Sequence, residues 1–195
     1  MATKGRRGPY SKGIARRAEI LRVALEAYQA SGRQGPSLKS IADAVGLTEA
    51  GVLHYFGSKD ELLVEILVAR DREYLQTYDL STPDGVWALL DHTTRTPGLV
   101  KLFVDMTAAS ADPAHPAHPF MRRRTRVILD LLERVLGPGR EWQARILLAA
   151  AEGLQIQWLR DPSTDIIGDL KRLAVVLGMP LETIASSRGS GAARP

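Results

Sequence analysis

The stretch SLKSIADAVGLTEAGVLHYF, residues 37–56, decides how the N-terminal part of the chain folds. Its apolar residues recur at helical spacing on both sides of Gly46, and glycine readily takes the left-handed conformation that a tight turn uses. Ser37 and Thr48 stand at the start of the two apolar runs, where serine and threonine are good N-caps. We therefore predict two short helices packed together around a glycine turn, which is a helix-turn-helix.

The second helix of this pair keeps small or polar residues on its outer side. Ala50 and Gly51 are small enough to let a helix come close to the base edges in the major groove of DNA. Thr48, at the positive N-terminal end of the helix, can hold a phosphate. His54 and Tyr55 can donate to phosphates, and His54 also to a base acceptor. The predicted DNA-binding residues are Ser37, Lys39, Thr48, Glu49, Ala50, Gly51, His54, Tyr55 and Lys59.

Two features at this end of the chain leave alternatives open. Glu49 can accept a hydrogen bond from a cytosine amino group, or it can compensate the helix dipole. Lys4, Arg6 and Arg7 can enter an adjacent minor groove, or they can remain a solvated tail. Residues 1–60 hold 10 Lys and Arg against 5 Asp and Glu, whereas residues 61–195 hold 16 against 17. This uneven charge favours a polyanion-binding head, but a basic surface without a partner would show the same balance.

Helical spacing of apolar residues continues along the rest of the chain, and no alternation typical of strands is found. The predicted fold class is all-α. A long helix from residue 59 to about 78 follows the capping box at residues 58–61, and further helices are predicted near residues 14–31, 86–94, 97–111, 120–136, 141–160 and 165–178. The predicted organisation is a disordered basic arm (1–13), a helix-turn-helix domain (14–60), a C-terminal domain (61–185) that includes a short turn at 180–185, and a disordered tail (186–195).

Composition excludes several classes of protein. The chain has no cysteine, which rules out disulfides and thiolate metal sites. No apolar run is long enough to span a membrane, and the basic N-terminus lacks the apolar core of a secretory signal, so we expect a cytoplasmic protein. His115 and His118 lie in an irregular proline-rich loop without a carboxylate set, so no metal site is predicted. We expect no cofactor.

Residues 20–67 strongly resemble the TetR family of bacterial repressors, over about a quarter of the chain. The matching positions include Gly46-Leu47-Thr48, Tyr55-Phe56, Ser58-Lys59 and Glu61-Leu62-Leu63. The resemblance implies a three-helix DNA-binding head, a linking fourth helix, and a helical C-terminal domain that binds a ligand and dimerises. It also implies DNA contacts at Ser37, Thr48, His54, Tyr55 and Lys59. This chain departs from many members of the family in having Glu49, Ala50 and Gly51, and not Arg, Lys or Asn, on the outer side of the second helix.

The C-terminal domain has a candidate effector pocket around the helix predicted at residues 97–111. That helix is apolar on nearly all sides, and the aromatic and methionine residues near it favour a small, mostly apolar molecule. Taken singly, each of these residues could equally be ordinary core. The predicted pocket residues are Trp87, Leu90, Phe103, Met106, Thr107, Met121 and Gln155.

Two further helices of this domain favour a homodimer. Small residues in helix 141–160 would let a partner helix approach closely, and the apolar stripe of helix 120–136 would complete an intermolecular four-helix bundle. The same residues could instead pack the core of a monomer. A palindromic operator needs two heads about one DNA turn apart, which also favours a dimer. The predicted interface residues are Ile128, Leu131, Leu132, Val135, Ile146, Ala150, Gly153, Leu154 and Trp158.

The sequence and the resemblance together predict a sequence-specific DNA-binding transcriptional regulator, a repressor that a small-molecule ligand releases from its operator. Two other functional classes are alternatives. An enzyme is not expected, because the sequence has no Gly-x-Ser-x-Gly, no phosphate-binding glycine loop, no His-Glu-x-x-His and no nucleophilic cysteine. A module that binds acidic protein surfaces would also fit the basic head. Salt separates that module from a DNA-binding protein, because neutralising several DNA phosphates makes the affinity fall steeply as salt rises.

Overall fold

The computed structural model describes residues 9–179, and within that range the protein is all helical, as the sequence predicts. The helices are α1 (Pro9–Ala30), α2 (Leu38–Ala44), α3 (Glu49–Phe56), α4 (Lys59–Thr77), α5 (Pro83–Thr93), α6 (Pro97–Ala109), α7 (Ala117–Leu136), α8 (Glu141–Arg160) and α9 (Ile166–Val176). Helices α1 to α3 form the head, and helices α5 to α9 form the body. Helix α4 links the two.

Hydroxyl caps define where the helices around the turn begin. The side-chain oxygens of Ser37, Thr48 and Ser58 each accept a hydrogen bond of 3.0 Å from the amide three residues later. These bonds satisfy amides that a helix start leaves without a partner. Gly46 (φ +66°) and Gly57 (φ +84°) then turn the chain after α2 and α3. The predicted caps and the glycine turn are confirmed.

Three helices begin earlier than the sequence predicts. Helix α1 starts at Pro9, so residues 9–13, which we predicted to lie in the disordered arm, are helical. Helix α5 starts at Pro83 instead of Val86, and helix α7 starts at Ala117 instead of Phe120. All three extensions place proline in a first helical turn, where its missing N–H leaves no bond unmade. The rest of the arm, the turn at 180–185 and the tail lie outside the described residues.

One buried cluster joins the head to the body. Ile20 and Ala24 of α1 are completely buried, as are Ile66 and Leu67 of α4. The same cluster includes Leu102 of α6, so the core of the head continues into the body without a break. Each fully buried Leu or Ile stabilises the fold by about 1.5–3 kcal/mol. The contact between α1, α4 and α6 is therefore a substantial one.

A second buried cluster fills the body between α5, α7, α8 and α9. Its largest members include Trp87, Leu147, Trp158 and Leu170. Val100 of α6 also belongs to this cluster. Helix α6 therefore lies between the two cores.

The end of α1 packs directly on the start of α6 at Gly98. A Cβ atom added to Gly98 would lie 2.0 Å from the Ser31 hydroxyl oxygen and 2.6 Å from the carbonyl oxygen of Tyr28. Both distances are far below van der Waals contact, and one of them is to backbone, which cannot rotate away. Only glycine fits at this junction.

We expect Gly98→Ala to lower the free energy of unfolding by about 1–3 kcal/mol, because the added methyl group forces the two helices apart. The matched control is Gly13→Ala in α1, where an added Cβ has nothing within 4 Å. This control should raise the free energy of unfolding by about 0.5–1 kcal/mol, since alanine favours the helix. Urea unfolding at a fixed protein concentration measures both. Equal stability of Gly98→Ala and wild type would contradict the tight junction.

Candidate DNA-binding surface and effector cavity

Helix α3 turns its small and polar residues away from the protein. Val52 and Phe56 are buried, at 0% and 6% exposure, and anchor one side of the helix in the head. Residues two positions from Val52 lie on roughly the opposite side, because successive residues of a helix are about 100° apart. Ala50 and His54 are accordingly exposed. The outer side of α3 therefore offers a slim surface to a DNA groove.

The other predicted DNA-binding residues surround this side of α3. Ser37, Lys39, Thr48, Glu49 and Lys59 are exposed, while Gly51 and Tyr55 are half-buried. The ring of Tyr55 meets that of His54 edge-on, with 5.8 Å between centroids. We define these residues, together with Ala50 and His54, as the DNA-binding surface.

The two caps fix the positions of two exposed hydroxyl groups. The oxygens of Ser37 and Thr48 accept the amides of Ser40 and Gly51. Because a hydroxyl can accept and donate at the same time, each keeps its O–H for an outside acceptor. The same bonds that start α2 and α3 therefore hold two donors in fixed positions.

Two arginines of α1 hold the helix-turn-helix in place. Arg16 donates to the carbonyl oxygen of Val45 at the turn. Arg17 donates to the carbonyl oxygen of Tyr55 at 3.3 Å, and its guanidinium carbon lies 4.7 Å from the ring centroid of Phe56. These cations, which the charge count assigned to the basic head, bind the protein itself and fix the orientation of α3.

The body contains a cavity of about 130 Å³, which is lined by residues of all the helices from α4 to α9. Four of the predicted pocket residues line it: Trp87, Leu90, Phe103 and Gln155. The remaining lining residues are Arg70, Tyr74, Leu80, Val86, Leu89, Thr93, Thr96, Leu99, Val100, Arg124, Ile128, Leu131, Leu132, Leu147, Leu148, Ala151, Glu152 and Leu170. The wall is mostly apolar, with a few polar groups in it, as is usual for a small-molecule site.

Three predicted pocket residues lie elsewhere, which corrects the prediction. Met106 and Met121 are buried in the cluster that joins head and body. Thr107 donates to the carbonyl oxygen of Phe103 and lies 3.9 Å from the sulfur of Met121. Helix α6 is apolar on nearly all sides, so its sequence does not reveal which of its faces meets the cavity.

A group of four charged residues at the cavity was not predicted. Asp71 accepts hydrogen bonds from Arg70, at 2.7 and 3.1 Å, and from Arg124 Nε, at 3.1 Å. Glu152 faces Arg124 at 3.9 Å, which is too long for a hydrogen bond. Burial raises the pKa of Glu152, and the charge of Arg124 opposes this rise. We define these four residues as the charge cluster.

The sequence did contain a sign of this cluster. Arg70 follows Ile66 and Leu67 by four and three residues, and Arg124 lies three residues after Met121 and four before Ile128. Each arginine thus interrupts an apolar stripe at helical spacing. A cation in such a position enters the protein interior, and a buried charge is retained only with a partner.

Tyr74 adds a phenol to the same wall. Burial is the main cause that raises the pKa of Tyr74, and the charge of Arg70 and the nearby Thr96 side chain oppose this rise. The ring packs edge-on against His92, at 5.4 Å between centroids. Tyr74 is therefore a neutral, fixed polar group at the cavity.

An open groove of about 480 Å³ runs beside the cavity between α4 and α7. The two share six lining residues: Tyr74, Leu80, Leu89, Arg124, Ile128 and Leu131. At its outer side the groove has the exposed side chains of Leu75 and Val127, and it is also lined by Arg72 and Arg123. The groove thus adjoins the cavity and is open to solvent.

Helix α8 carries an apolar stripe that its own subunit does not cover. Trp142, Ile146 and Ile156 are 58%, 45% and 37% exposed. Ala149 is exposed as well, and a Cβ added to Gly153 would have nothing within 4 Å. Their spacing of four, three, four and three residues puts them on one side of the helix. We define these five residues as the α8 stripe.

The predicted interface residues divide between this stripe and the interior. Ile146 and Gly153 belong to the stripe, while Ala150, Leu154 and Val135 pack against the second core and Ile128 and Leu131 line the cavity. Leu132 and Trp158 are buried in that core, at 7% and 9% exposure, which corrects their assignment to an interface. The apolar side of α7 faces inward and covers the cavity.

His115, just before α7, and His118, in its first turn, form polar contacts within the protein. His115 Nε2 lies 3.4 Å from a carboxylate oxygen of Asp60, and His118 Nδ1 lies 2.8 Å from the carbonyl oxygen of Ser110. Among residues 9–179, no group of three or more His, Cys, Asp or Glu is arranged to hold a metal ion. In the same range, no helix has the length and apolar composition to cross a membrane.

The family model for bacterial regulatory proteins, tetR family, matches residues 20–66. These residues comprise most of α1, the helix-turn-helix and the first half of α4. No curated protein sequence matches the chain.

Solved structures share the fold over most of the length. A TetR transcriptional regulator from Rhodococcus sp. RHA1 is 19% identical, with a TM-score of 0.60 over 84% of this chain and 96% of that one. The multidrug binding protein EbrR, solved with imidazole, is 19% identical, with a TM-score of 0.60 over 95% and 100%. Thermus thermophilus FadR, a TetR-family transcriptional repressor solved with lauroyl-CoA, is 18% identical, with a TM-score of 0.53 over 90% and 100%.

The family match and the shared fold agree with each other. The resemblance to the TetR family is confirmed, as is the all-α fold with an N-terminal helix-turn-helix domain. Residues 20–66 thus match the N-terminal family model, and the chain as described shares the all-α fold of solved TetR-family regulators.

We expect Ala50→Leu to weaken binding to DNA by about tenfold or more, because a larger side chain keeps α3 away from the base edges. Ala50 is exposed, so the folded protein should tolerate leucine there. Fluorescence anisotropy with labelled duplex DNA measures the affinity. The matched control is Ala88→Leu, the same change at an exposed position of α5 in the body, and it should bind as wild type does. Unchanged affinity of Ala50→Leu would show that α3 does not enter a groove.

Proposed function

We propose that this protein is a dimeric transcriptional repressor that binds palindromic operator DNA and is released by a small molecule in the body cavity. The observation that carries the proposal is the course of α4. This helix begins at Lys59 on the DNA-binding surface and lines the cavity with Arg70 and Tyr74. One helix is therefore part of both sites.

The DNA-binding surface would use its residues in two ways. Ala50 and Gly51 would let α3 approach the bases closely. The hydroxyls of Ser37 and Thr48 and the charge of Lys59 would hold phosphates on either side. The phosphate contacts would fix the position of the protein on DNA, while the residues along α3 would read the base sequence.

The α8 stripe would form the dimer interface. The stripe has an exposed tryptophan and two exposed isoleucines, together with small residues that let a second α8 come close. Val175 and Val176 of α9 extend it, at 60% and 81% exposure. Arg140, just before α8, donates to the carbonyl oxygen of Leu177 and so holds the end of α9 beside the start of α8. Two copies of α8 and α9 would make a four-helix bundle about a two-fold axis.

Release would follow from movement of α4. Arg70 lies 11 residues after Lys59, about 16 Å along the helix. A molecule that binds better to a tilted position of α4 would favour that position and change the separation of the two heads. Two heads at the wrong separation cannot occupy successive major grooves.

Two relatives in fold support a ligand-binding role. Thermus thermophilus FadR is described as a transcriptional repressor in complex with lauroyl-CoA, and EbrR as a multidrug binding protein complexed with imidazole. The cavity of the present chain is consistent with a ligand of its own.

Selection of bound fragments from random duplex DNA should yield palindromic sequences, since a two-fold dimer presents two identical heads. The affinity for them should fall steeply and linearly in log salt, because phosphate contacts release counterions. Addition of a small molecule that binds the cavity should weaken operator binding, and operator DNA should weaken binding of that molecule by the same factor. Calorimetry with and without operator measures the second effect. A shallow salt dependence for every duplex would favour the protein-binding module instead.

Ile146→Asp should give a monomer that folds but binds the operator more weakly, because a carboxylate would be buried between two α8 helices. Ile146 is 45% exposed within one subunit, so its own core should tolerate the change. Sedimentation velocity gives the assembly state. Leu75→Asp is the control, since Leu75 is similarly exposed, at 54%, but lies at the groove on α4. If Ile146→Asp stays dimeric, the interface is elsewhere.

A further inference from the structure

We propose that the effector is a small organic carboxylate: its anionic group binds Arg124 in the charge cluster, and its apolar part fills the cavity. It would enter through the groove between α4 and α7. The inference rests on the proposed function, since it names the chemical class of ligand for the same cavity.

Asp71 fixes the orientation of the two arginines in the charge cluster. Its two carboxylate oxygens hold Arg70 through Nε and Nη2 and Arg124 through Nε. The Nη groups of Arg124 remain, and within the described part of the chain their one carboxylate neighbour is Glu152, at 3.9 Å. A guanidinium held by Nε presents its two Nη groups side by side, in the geometry that binds a carboxylate.

Glu152 competes only weakly for the Nη groups of Arg124. The distance of 3.9 Å leaves no hydrogen bond between it and Arg124. Burial favours its neutral form, as the raised pKa of Glu152 shows. A ligand carboxylate at about 2.7–2.9 Å would make stronger, charge-assisted hydrogen bonds. The ligand carboxylate would therefore replace the loose contact between Glu152 and Arg124. Glu152 would then take up a proton or change its rotamer.

The charges around the cavity and groove select against a cation. The charge cluster has two arginines against Asp71 and Glu152, so it keeps one positive charge in excess when Glu152 is in the neutral form that burial favours. Asp71 is the one acid that lines the groove, and both arginines already use it. An ammonium group would meet two guanidiniums, and the one carboxyl group that lines the cavity is Glu152, whose neutral form burial favours.

The mouth of the groove adds a second, independent observation. Arg72 and Arg123 line the groove on its two sides and are exposed. Neither is paired with a carboxylate within residues 9–179. Unpaired cations at the entrance of a cleft attract anions and raise their rate of entry. The path into the cavity and the cavity itself thus favour the same sign of charge.

The volume limits the apolar part of the ligand. A dry apolar cavity of about 150 Å³ admits benzene, and the present one holds about 130 Å³. The walls nearest the charge cluster include the ring of Phe103, whose centroid lies 4.5 Å from the guanidinium carbon of Arg124. One ring or a chain of about six carbons, with the carboxylate at one end, matches this space.

The test uses the full chain without DNA and two matched sets of probes. The first set is phenylacetate, 2-phenylethanol and 2-phenylethylammonium; the second is hexanoate, hexanol and hexylammonium. Calorimetry should show that the carboxylate of at least one set binds about tenfold or more tightly than its alcohol and its ammonium, as expected for a charge-assisted hydrogen bond. If neither carboxylate binds more tightly than its matched alcohol, the inference is wrong.

Arg124→Gln should abolish the preference for the carboxylate, while binding of the alcohol changes little. Arg126→Gln is the matched control, since Arg126 is exposed on the same helix and lines neither the cavity nor the groove. Circular dichroism checks that both variants fold. If Arg124→Gln does not fold, the double variant Arg72→Gln and Arg123→Gln decides: it should slow association of the carboxylate and reduce the salt dependence of that rate. An unchanged preference in folded Arg124→Gln, or an unchanged rate in the double variant, would overturn the inference.

Operator binding, measured separately, distinguishes this inference from the proposed function. If a carboxylate binds as expected but leaves operator affinity unchanged, the ligand class stands and release by ligand is wrong. If an uncharged molecule releases the operator while carboxylates show no preference, release stands and the ligand class is wrong.

Discussion

The packing of α4 against both α1 and α6 is the constraint on which the rest of the structure depends. Ile66 and Leu67 are completely buried in one cluster with Ile20 of α1 and Leu102 of α6. Because protein cores are close-packed, α4 cannot rotate or slide without moving the helices that hold it. The head therefore follows the body and does not swing freely on a linker. Helices α4 and α6 both line the cavity and both belong to the cluster that includes α1, so they are the elements that connect the cavity with the head.

Buried charge in the body has a cost that the fold alone does not explain. Burial lowers the pKa of Arg124, and Asp71 counteracts this. Desolvation of such groups often costs more than their pairing returns, and well-packed apolar residues of similar volume are frequently as stable or more so. The charge cluster thus gives the protein little stability. Its place beside a cavity, on the helix that reaches the DNA-binding surface, gives it a functional meaning.

How much the sequence could predict depended on whether a pattern was local. The caps at Ser37 and Thr48 and the turn at Gly46 are set by neighbouring residues, and all three were correctly predicted. The direction in which an apolar helix faces depends on distant residues, so α6 and α7 were harder to interpret. Met106 and Met121 pack at the junction of head and body, and Leu132 lies in the core. The positions of the charge cluster required α4, α7 and α8 to be brought together, which periodicity within each helix does not specify.

The ion pairs of the head have a consequence for how the protein would search a chromosome. Three arginines of α1 are paired with glutamates, and Arg33 lies over the ring of Trp158 in the body, 5.8 Å from its centroid. Within the described part of the head and at the start of α4, the lysines are the cations that remain for DNA: Lys12, Lys39 and Lys59. Affinity for arbitrary sequence scales with the number of phosphates neutralised. The cations of the described residues alone would neutralise few phosphates, so the encounters that they support with bulk DNA would be brief. At any moment, a larger share of the protein molecules would then be free of non-specific DNA. These molecules could bind an operator or a ligand.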